Sequence, residues 1–291
     1  MRIAELFKAK KPVISFEIFP PKKTSALACI DETLTQLCRL HPDFISVTFG
    51  AGGNAASERT IELGRKIKDD YGTLPLIHLT CLNYNKEEII EILDKLRKEK
   101  LYNVLALRGD ESPEMIPKED FKYASDLIAF IKSRRDFSQS DFSVSGACYP
   151  EKHLEAPDAV TDIRHLKAKV DAGANHLISQ LFFENEIFYD FYEKTRIAGI
   201  NVPIEAGIMP VTNKKQVERM VALCGATLPP KFKRILDRYE DNPEALFDAG
   251  MAYAINQIID LIAAGVDGIH IYTMNKPLVA RRICEGIKNL V

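Results

Sequence analysis

Along the chain, apolar runs of strand length alternate with longer stretches in which apolar residues recur every three or four positions. The short runs fall at 13–19, 44–49, 75–81, 103–108, 142–149, 176–183, 203–209 and 268–274. Most of these runs are built on Val, Ile, Leu or Phe, and each is predicted to be a strand. Amphipathic stretches such as 58–71, 86–99, 123–135 and 158–172 lie between them and predict helices. Over 86–99 the apolar set is Ile89, Ile90, Leu93 and Leu96, with Lys and Glu on the other face. Gly173 and Gly199 follow helical stretches directly, where a left-handed residue ends a helix.

Eight such units without a long Pro/Gly/Ser linker predict a closed parallel (β/α)8 TIM barrel, with residues 1–291 forming one catalytic domain. The alternative is an open doubly wound sheet. It is weakened by the lack of GxGxxG after an early strand, since Gly50-Ala-Gly-Gly53 has a different spacing. Segment 228–260 holds more helix than one crossover needs, so an extra helical segment is expected before the last strand.

Hydrophobic residues make up 46% of the chain, enough for a sizeable core. Charged residues make up 27% and nearly cancel, leaving a formal net charge of -2. With no basic stripe, nucleic acid is excluded as the main partner. The apolar runs read as strand-sized, and Met1-Arg-Ile-Ala-Glu5 is too polar for a signal peptide, so a cytoplasmic protein without a membrane partner is expected. The six cysteines show neither CxxC nor zinc-ligand spacing. They are expected to be reduced thiols filling small core positions, with a redox pair as the alternative and no metal site.

Polar residues gather toward the carboxyl ends of the predicted strands or just after them. Glu17, Thr48, His78, Thr80, Arg108, Asp110, Tyr149, His153, Gln180, Tyr272 and Lys276 all fall there. In a parallel barrel those ends share one face, where active sites are assembled from several loops. Taken singly, each has a structural explanation, such as a rim salt bridge for Glu17 or a turn for Arg108-Gly109-Asp110. Together they point to a site without naming a reaction.

At these residues the sequence resembles the methylenetetrahydrofolate reductase family. The resemblance is carried by Ser15-Phe-Glu-Ile-Phe-Pro-Pro21, Ser46-Val-Thr-Phe-Gly-Ala51, His78-Leu-Thr-Cys81, Ala106-Leu-Arg-Gly-Asp110 and Tyr123-Ala-Ser-Asp126. It continues through Tyr149-Pro-Glu-Lys-His153, Lys169-Val-Asp-Ala-Gly-Ala-Asn175, Gln180-Leu-Phe-Phe183, Gly207-Ile-Met-Pro210 and Tyr272-Thr-Met-Asn275. Ten motifs in family order over nearly the whole chain are far more specific than any one of them. The resemblance implies a flavin-dependent (β/α)8 barrel of the short catalytic form, reducing a folate-bound one-carbon unit.

By that resemblance Glu17 is the general acid, with a pKa that burial is expected to raise toward neutrality. Asp110 contacts the pterin near the flavin, Thr48 the nicotinamide, and Gln180 both folate and nicotinamide. Gln216, Tyr272 and Lys276 complete the substrate set. FAD is implied at Phe49, Ala51, His78, Arg108, Gly109, Asp110, Ala124, Tyr149, His153, Ala156, Asp162, His165, Ala168 and Lys169. Asp162, His165 and Lys169 share one stripe of a helix, beside an apolar stripe of Ile163, Leu166 and Val170. NADH or NADPH is the expected donor and a reduced folate the substrate, in a homo-oligomer.

The chain departs from the family pattern at four positions. His165 stands in place of Asn, Ala168 in place of Arg, Lys276 in place of Arg, and Met220 in place of a Phe that packs on the nicotinamide. Losing the Arg at 168 removes a fork for the pyrophosphate, so looser FAD binding is expected. A partner electron-transfer subunit is the alternative donor. A non-catalytic subunit is a different reading, separated by flavin content, and so is an unrelated barrel lyase using Glu17 as base.

Overall fold

The computed structural model describes residues 1–21, 27–49, 54–110, 118–134 and 142–291. Eight parallel strands close on themselves in chain order. They are β1 (Val13–Ile18), β2 (Phe44–Val47), β3 (Leu74–Thr80), β4 (Asn103–Leu107), β5 (Ser143–Cys148), β6 (His176–Ser179), β7 (Ile204–Ile208) and β8 (Gly268–Tyr272). Closure is made by β1, which pairs with β2 on one side and β8 on the other, Glu17 lying opposite both Ser46 and Tyr272. The closed TIM barrel predicted from alternation is therefore correct, and no open sheet edge remains.

Helices cover the outside of the barrel: α2 (Leu27–Cys38), α3 (Asn54–Asp69), α4 (Lys86–Lys98), α5 (Ala124–Ser133), α6 (Ala159–Asp171), α7 (Asn185–Ile197) and α11 (Pro277–Ile287). The helix predicted over 123–135 ends at Ser133, and position 135 lies outside the described residues. In α4, Asn85 accepts from Glu88 N–H while the Glu88 side chain accepts from Asn85 N–H, closing the first turn. Gly173 and Gly199 end α6 and α7 with φ of 118° and 74°, as their positions predicted.

Strand alternation decides where each side chain goes. Ile14, Phe16, Ile18, Ile45, Val47, Ile77, Leu79 and Val104 face the helices in one large core. The opposite face lines the barrel. At its amino-terminal end Val13, Phe44, Leu76, Leu105 and Ile178 meet Ile3 and Phe7. Those two belong to α1 (Ile3–Ala9), an unpredicted seven-residue helix that plugs the barrel, its Ile3 N–H donating to Asn103 Oδ1 at 3.0 Å.

The connection from β7 to β8 holds three helices, α8 (Lys214–Cys224), α9 (Pro230–Arg238) and α10 (Pro243–Ala263). The expected extra helical segment is thus α9 together with the start of α10. Leu181, Phe183, Met209, Val217, Phe232 and Leu246 form a second core beneath it. The apolar runs are not all strand-sized: α10 is long and apolar enough to cross a membrane. Its residues Leu246, Gly250, Met251, Ala254, Ile258 and Leu261 are buried in the protein interior, which accounts for that composition. Among the described residues Cys38, Cys81, Cys148, Cys224 and Cys284 are unpaired, Cys81 and Cys148 being buried.

Candidate active site

Glu17 sits near the carboxyl end of β1 with its side chain turned into the barrel, 21% exposed. Two imidazoles face it. His78 Nε2 of β3 lies 3.5 Å from Glu17 Oε2, and His270 Nε2 of β8 lies 3.6 Å from the same oxygen. Ser46 of β2 approaches His270 Nε2 at 3.4 Å. Four strands therefore converge on one carboxyl group because residues 17, 46, 78 and 270 all occupy inward positions of the pleat.

Burial pushes the Glu17 carboxyl up, but the His270 imidazole, the neighbouring His78 ring and the Ser46 hydroxyl together outweigh it. Its pKa lies below the ordinary carboxylate value, so the expected upward shift is corrected: the unliganded site holds Glu17 ionised. His78 goes the other way. Burial drives it down to about 4, against the attraction of Glu17, and leaves a neutral ring at pH 7. His78 Nε2 is buried without a hydrogen-bond partner, an arrangement that suits a polar atom of a ligand.

Loops hold Glu17 in place. Thr273 Oγ1 donates to the Glu17 carbonyl at 2.7 Å. Asn275, two residues on, binds Phe19 just beyond the end of β1. Tyr272 projects beside Glu17, and its hydroxyl donates to the Ser179 carbonyl at 2.7 Å. Gly207 leaves that path open, since a Cβ there would stand 2.8 Å from the Tyr272 hydroxyl.

A second cluster lies over β4, β5 and α6. Arg108 makes a two-pronged ion pair with Glu155, at 2.8 and 2.5 Å. Gly109 has φ of 88°, and a Cβ on it would come within 3.0 Å of Thr80. Tyr149 stacks edge-on against His153 at 4.7 Å, while Lys169 Nζ lies 5.7 Å from the Tyr149 ring. Lys169 also donates to the Ala147 carbonyl at 2.9 Å, and burial lowers its pKa. Asp162 Oδ2 accepts from His153 N–H at 3.1 Å. Cationic side chains, aromatic faces and an open glycine backbone suit a ring-bearing anionic cofactor.

The structure sorts the sequence-predicted residues into three groups. Glu17, His78 and Tyr272 meet at the centre of the mouth, while Arg108, Tyr149, His153, Asp162 and Lys169 form the cofactor-side cluster. Asp110 is exposed and close enough to Tyr149 to raise its pKa, behind the larger effect of burial. Thr48 and Phe49 are half-buried after β2, Phe49 packing edge-on to Tyr84 at 5.9 Å. Gln180 is folded back, its Oε1 accepting from Leu181 N–H at 2.9 Å. Gln216 is half-buried in the first turn of α8, and Lys276 Nζ bridges the last two loops by donating to Thr212 Oγ1 at 2.9 Å.

Other positions stand apart. Ala124 and Ala156 are buried, so only their backbones can meet a ligand. His165 and Ala168 are exposed, whereas Asp162 and Lys169 turn toward the rim, so the expected single stripe on α6 is split. Leu166 does pack inward as expected, with Ile163 and Val170 partly buried beside it. Ala51 lies outside the described residues. Reading only strand ends missed His270, Ser46 and the two loop clamps Thr273 and Asn275. His270 carries a signal all the same: two residues before Tyr272, it must share its face.

A parallel barrel with a carboxyl group held between imidazoles at its carboxyl-terminal mouth has the layout of an acid–base enzyme site, beside a cluster of Arg108, Tyr149, His153 and Lys169. Comparison with known proteins gives the family. The family model for methylenetetrahydrofolate reductase matches residues 2–288, and the chain belongs to this family. The 5,10-methylenetetrahydrofolate reductase of Escherichia coli K12 is 35% identical over 274 residues, covering 94% of this chain and 90% of that one. The Pectobacterium carotovorum enzyme is 34% identical over 277 residues, covering 94% and 89%. Arabidopsis thaliana methylenetetrahydrofolate reductase (NADH) 1 is 34% identical, and the match spans 48% of its length. A solved Clostridium thermocellum protein that binds two copies of 5-methyl-5,6,7,8-tetrahydrofolic acid shares the fold, at a TM-score of 0.66 and 15% identity with 98% of each chain covered.

Proposed function

We propose that this enzyme reduces 5,10-methylenetetrahydrofolate to 5-methyltetrahydrofolate, using FAD and a nicotinamide donor, with Glu17 delivering the proton. The observation that carries this reading is Glu17 held between His78 and His270 at 3.5 and 3.6 Å, beside a cationic groove, in a chain of this family. Arg108, Gly109, Tyr149, His153 and Lys169 would hold the flavin, which supplies hydride to the one-carbon unit when bound.

The chain's own residues handle the proton. Opening the five-membered folate ring breaks the bond from the one-carbon unit to one nitrogen. The electron pair stays on that nitrogen, which takes a proton, while the other nitrogen forms the iminium. Glu17 stands where an acid can serve the departing nitrogen, with His270 next to it as the store from which it is recharged. Asp110 at the rim offers negative charge to the cationic intermediate. Lys276, between the last two loops, would meet an acidic folate tail.

Anaerobic NADH oxidation by the purified enzyme, followed with and without methylenetetrahydrofolate, tests the reading. Methyltetrahydrofolate should appear in a one-to-one ratio with NADH consumed. A flavin-replete enzyme that forms none even after its flavin has been reduced chemically overturns it, and one that forms it from chemically reduced flavin but not with NADH or NADPH moves the donor assignment to a partner protein.

A further inference from the structure

Below Glu17 the barrel interior stays polar where a core of this kind is usually apolar. Glu205 of β7 is fully buried, as are His270 of β8, His176 of β6 and Ser15 of β1. Ser15 Oγ donates to Glu205 Oε1 at 2.8 Å and lies 2.7 Å from His270 Nδ1. A hydroxyl has a single proton. With that proton given to Glu205, Ser15 must accept from His270, so His270 carries its hydrogen on Nδ1. Its Nε2 then faces Glu17 as a basic lone pair or, when protonated, as an N–H.

Glu205 also faces His176, whose Nε2 lies 3.0 Å from Glu205 Oε2, out of line for a hydrogen bond. His176 Nδ1 is 2.9 Å from Ser145 Oγ. The space is built for this carboxylate: a Cβ on Gly268 would stand 2.8 Å from Glu205 Cγ. The titratable groups around His270 are thus Glu17 and His78 above it, Tyr272 edge-on to its ring at 5.3 Å, Glu205 beyond Ser15, and His176 beyond Glu205.

We propose that Glu205 is a positioning residue for folate reduction, acting through Ser15 to fix the His270 tautomer and hold a proton on His270 Nε2 for delivery to Glu17. The transfer balances: the proton leaves His270 Nε2 for the ionised Glu17, which passes it to the departing nitrogen, so that His270 ends neutral and Glu17 ends ionised again. Glu205, two hydrogen bonds away, keeps the hydrogen on Nδ1 through Ser15, so Nε2 is the ring atom left to exchange a proton with Glu17. This rests on Glu17 being the acid.

Nitrogen-15 NMR of histidine-labelled wild-type protein reads the tautomer directly. The His270 hydrogen is expected on Nδ1, and a neutral ring protonated only on Nε2 overturns the proposal. In Glu205→Gln the folate-dependent reoxidation rate should fall off at a pH about one to two units lower than in wild type, because a neutral amide no longer holds Ser15 as the acceptor for His270 Nδ1–H. KM for folate and the rate of flavin reduction should stay within about twofold. Ser15→Ala should move the pH profile the same way, and it serves where Glu205→Gln does not fold. Superposable profiles for the folded variants and wild type overturn the proposal. If Glu17→Gln reduces folate normally, Glu17 is not the acid and both readings fall. If Glu17→Gln is inactive while Glu205→Gln and Ser15→Ala keep the wild-type profile, this one falls alone.

Discussion

Asn275 holds both polar groups of one peptide residue, Phe19: its Oδ1 accepts from Phe19 N–H at 3.0 Å and its Nδ2 donates to the Phe19 carbonyl at 2.8 Å. The clamp ties the loop after β8 to the end of β1, two residues beyond Glu17. Asn275 and its neighbour Met274 both have left-handed backbones, with φ of 53° and 52°. Asn tolerates that conformation better than most residues, and Gly best of all. Asn275→Gly should lose about 1–2 kcal/mol through the two missing hydrogen bonds. Asn275→Ala should lose about a further 1 kcal/mol through backbone strain. Urea denaturation of the two variants separates the contributions, and a wild-type midpoint for Asn275→Gly would show that the clamp adds nothing.

Gly207 is a packing requirement. A Cβ there would lie 2.2 Å from the Ser179 carbonyl oxygen, a backbone atom that cannot swing aside. Gly207→Ala should therefore destabilise by about 2 kcal/mol or more and displace the Tyr272 hydroxyl from Ser179. Thermal unfolding measures the first effect. A melting temperature equal to wild type would mean that β6 and β7 separate freely at this point.

Stability should depend on pH through His78. Burial lowers its pKa from 6.5 to about 4, so the unfolded chain binds a proton that the folded one refuses. Stability from this group is present above pH 6.5 and drains away as pH falls toward 4, the loss amounting to about 2–3 kcal/mol by pH 4.5. His78→Gln should flatten that part of the profile in flavin-free protein. An equal loss between pH 7 and 4.5 in the variant would assign the effect to other groups.

Arg108 presents its guanidinium to Glu155 in a two-pronged pair that lies at the groove assigned to the flavin. A cofactor phosphate and the Glu155 carboxylate would compete for that fork. Glu155→Gln should tighten flavin binding several-fold, and Arg108→Ala should weaken it by about tenfold or more, the scale of one charged hydrogen bond. Fluorescence titration of the apoprotein with FAD gives both constants. Unchanged affinity in Arg108→Ala would remove this residue from the cofactor site.

The barrel was legible because strand and helix periods differ, and the eight apolar runs keep their order without interruption. The plug α1 was not, since seven residues with Ile3 and Phe7 inward give too short a periodic signal. The site was legible at the strand ends, where Glu17, His78 and Tyr272 fall together. It was misjudged in depth: His176 and Glu205 lie at the amino-terminal ends of their strands, yet they continue the same polar interior. The Glu17 shift went in the opposite direction from expectation because partners from β2, β3 and β8 outweigh burial, and sequence alone does not fix those distances.

The most direct test mixes flavin-loaded, fully reduced enzyme with methylenetetrahydrofolate under anaerobic conditions and follows flavin absorbance in a stopped-flow instrument. Wild type should reoxidise rapidly, while Glu17→Gln, still reducible by NADH at an ordinary rate, should reoxidise slower by about 10²–10⁴-fold. Reoxidation of Glu17→Gln at the wild-type rate would contradict the assignment of the proton donor. Failure of folate to reoxidise wild-type enzyme would contradict the reaction itself.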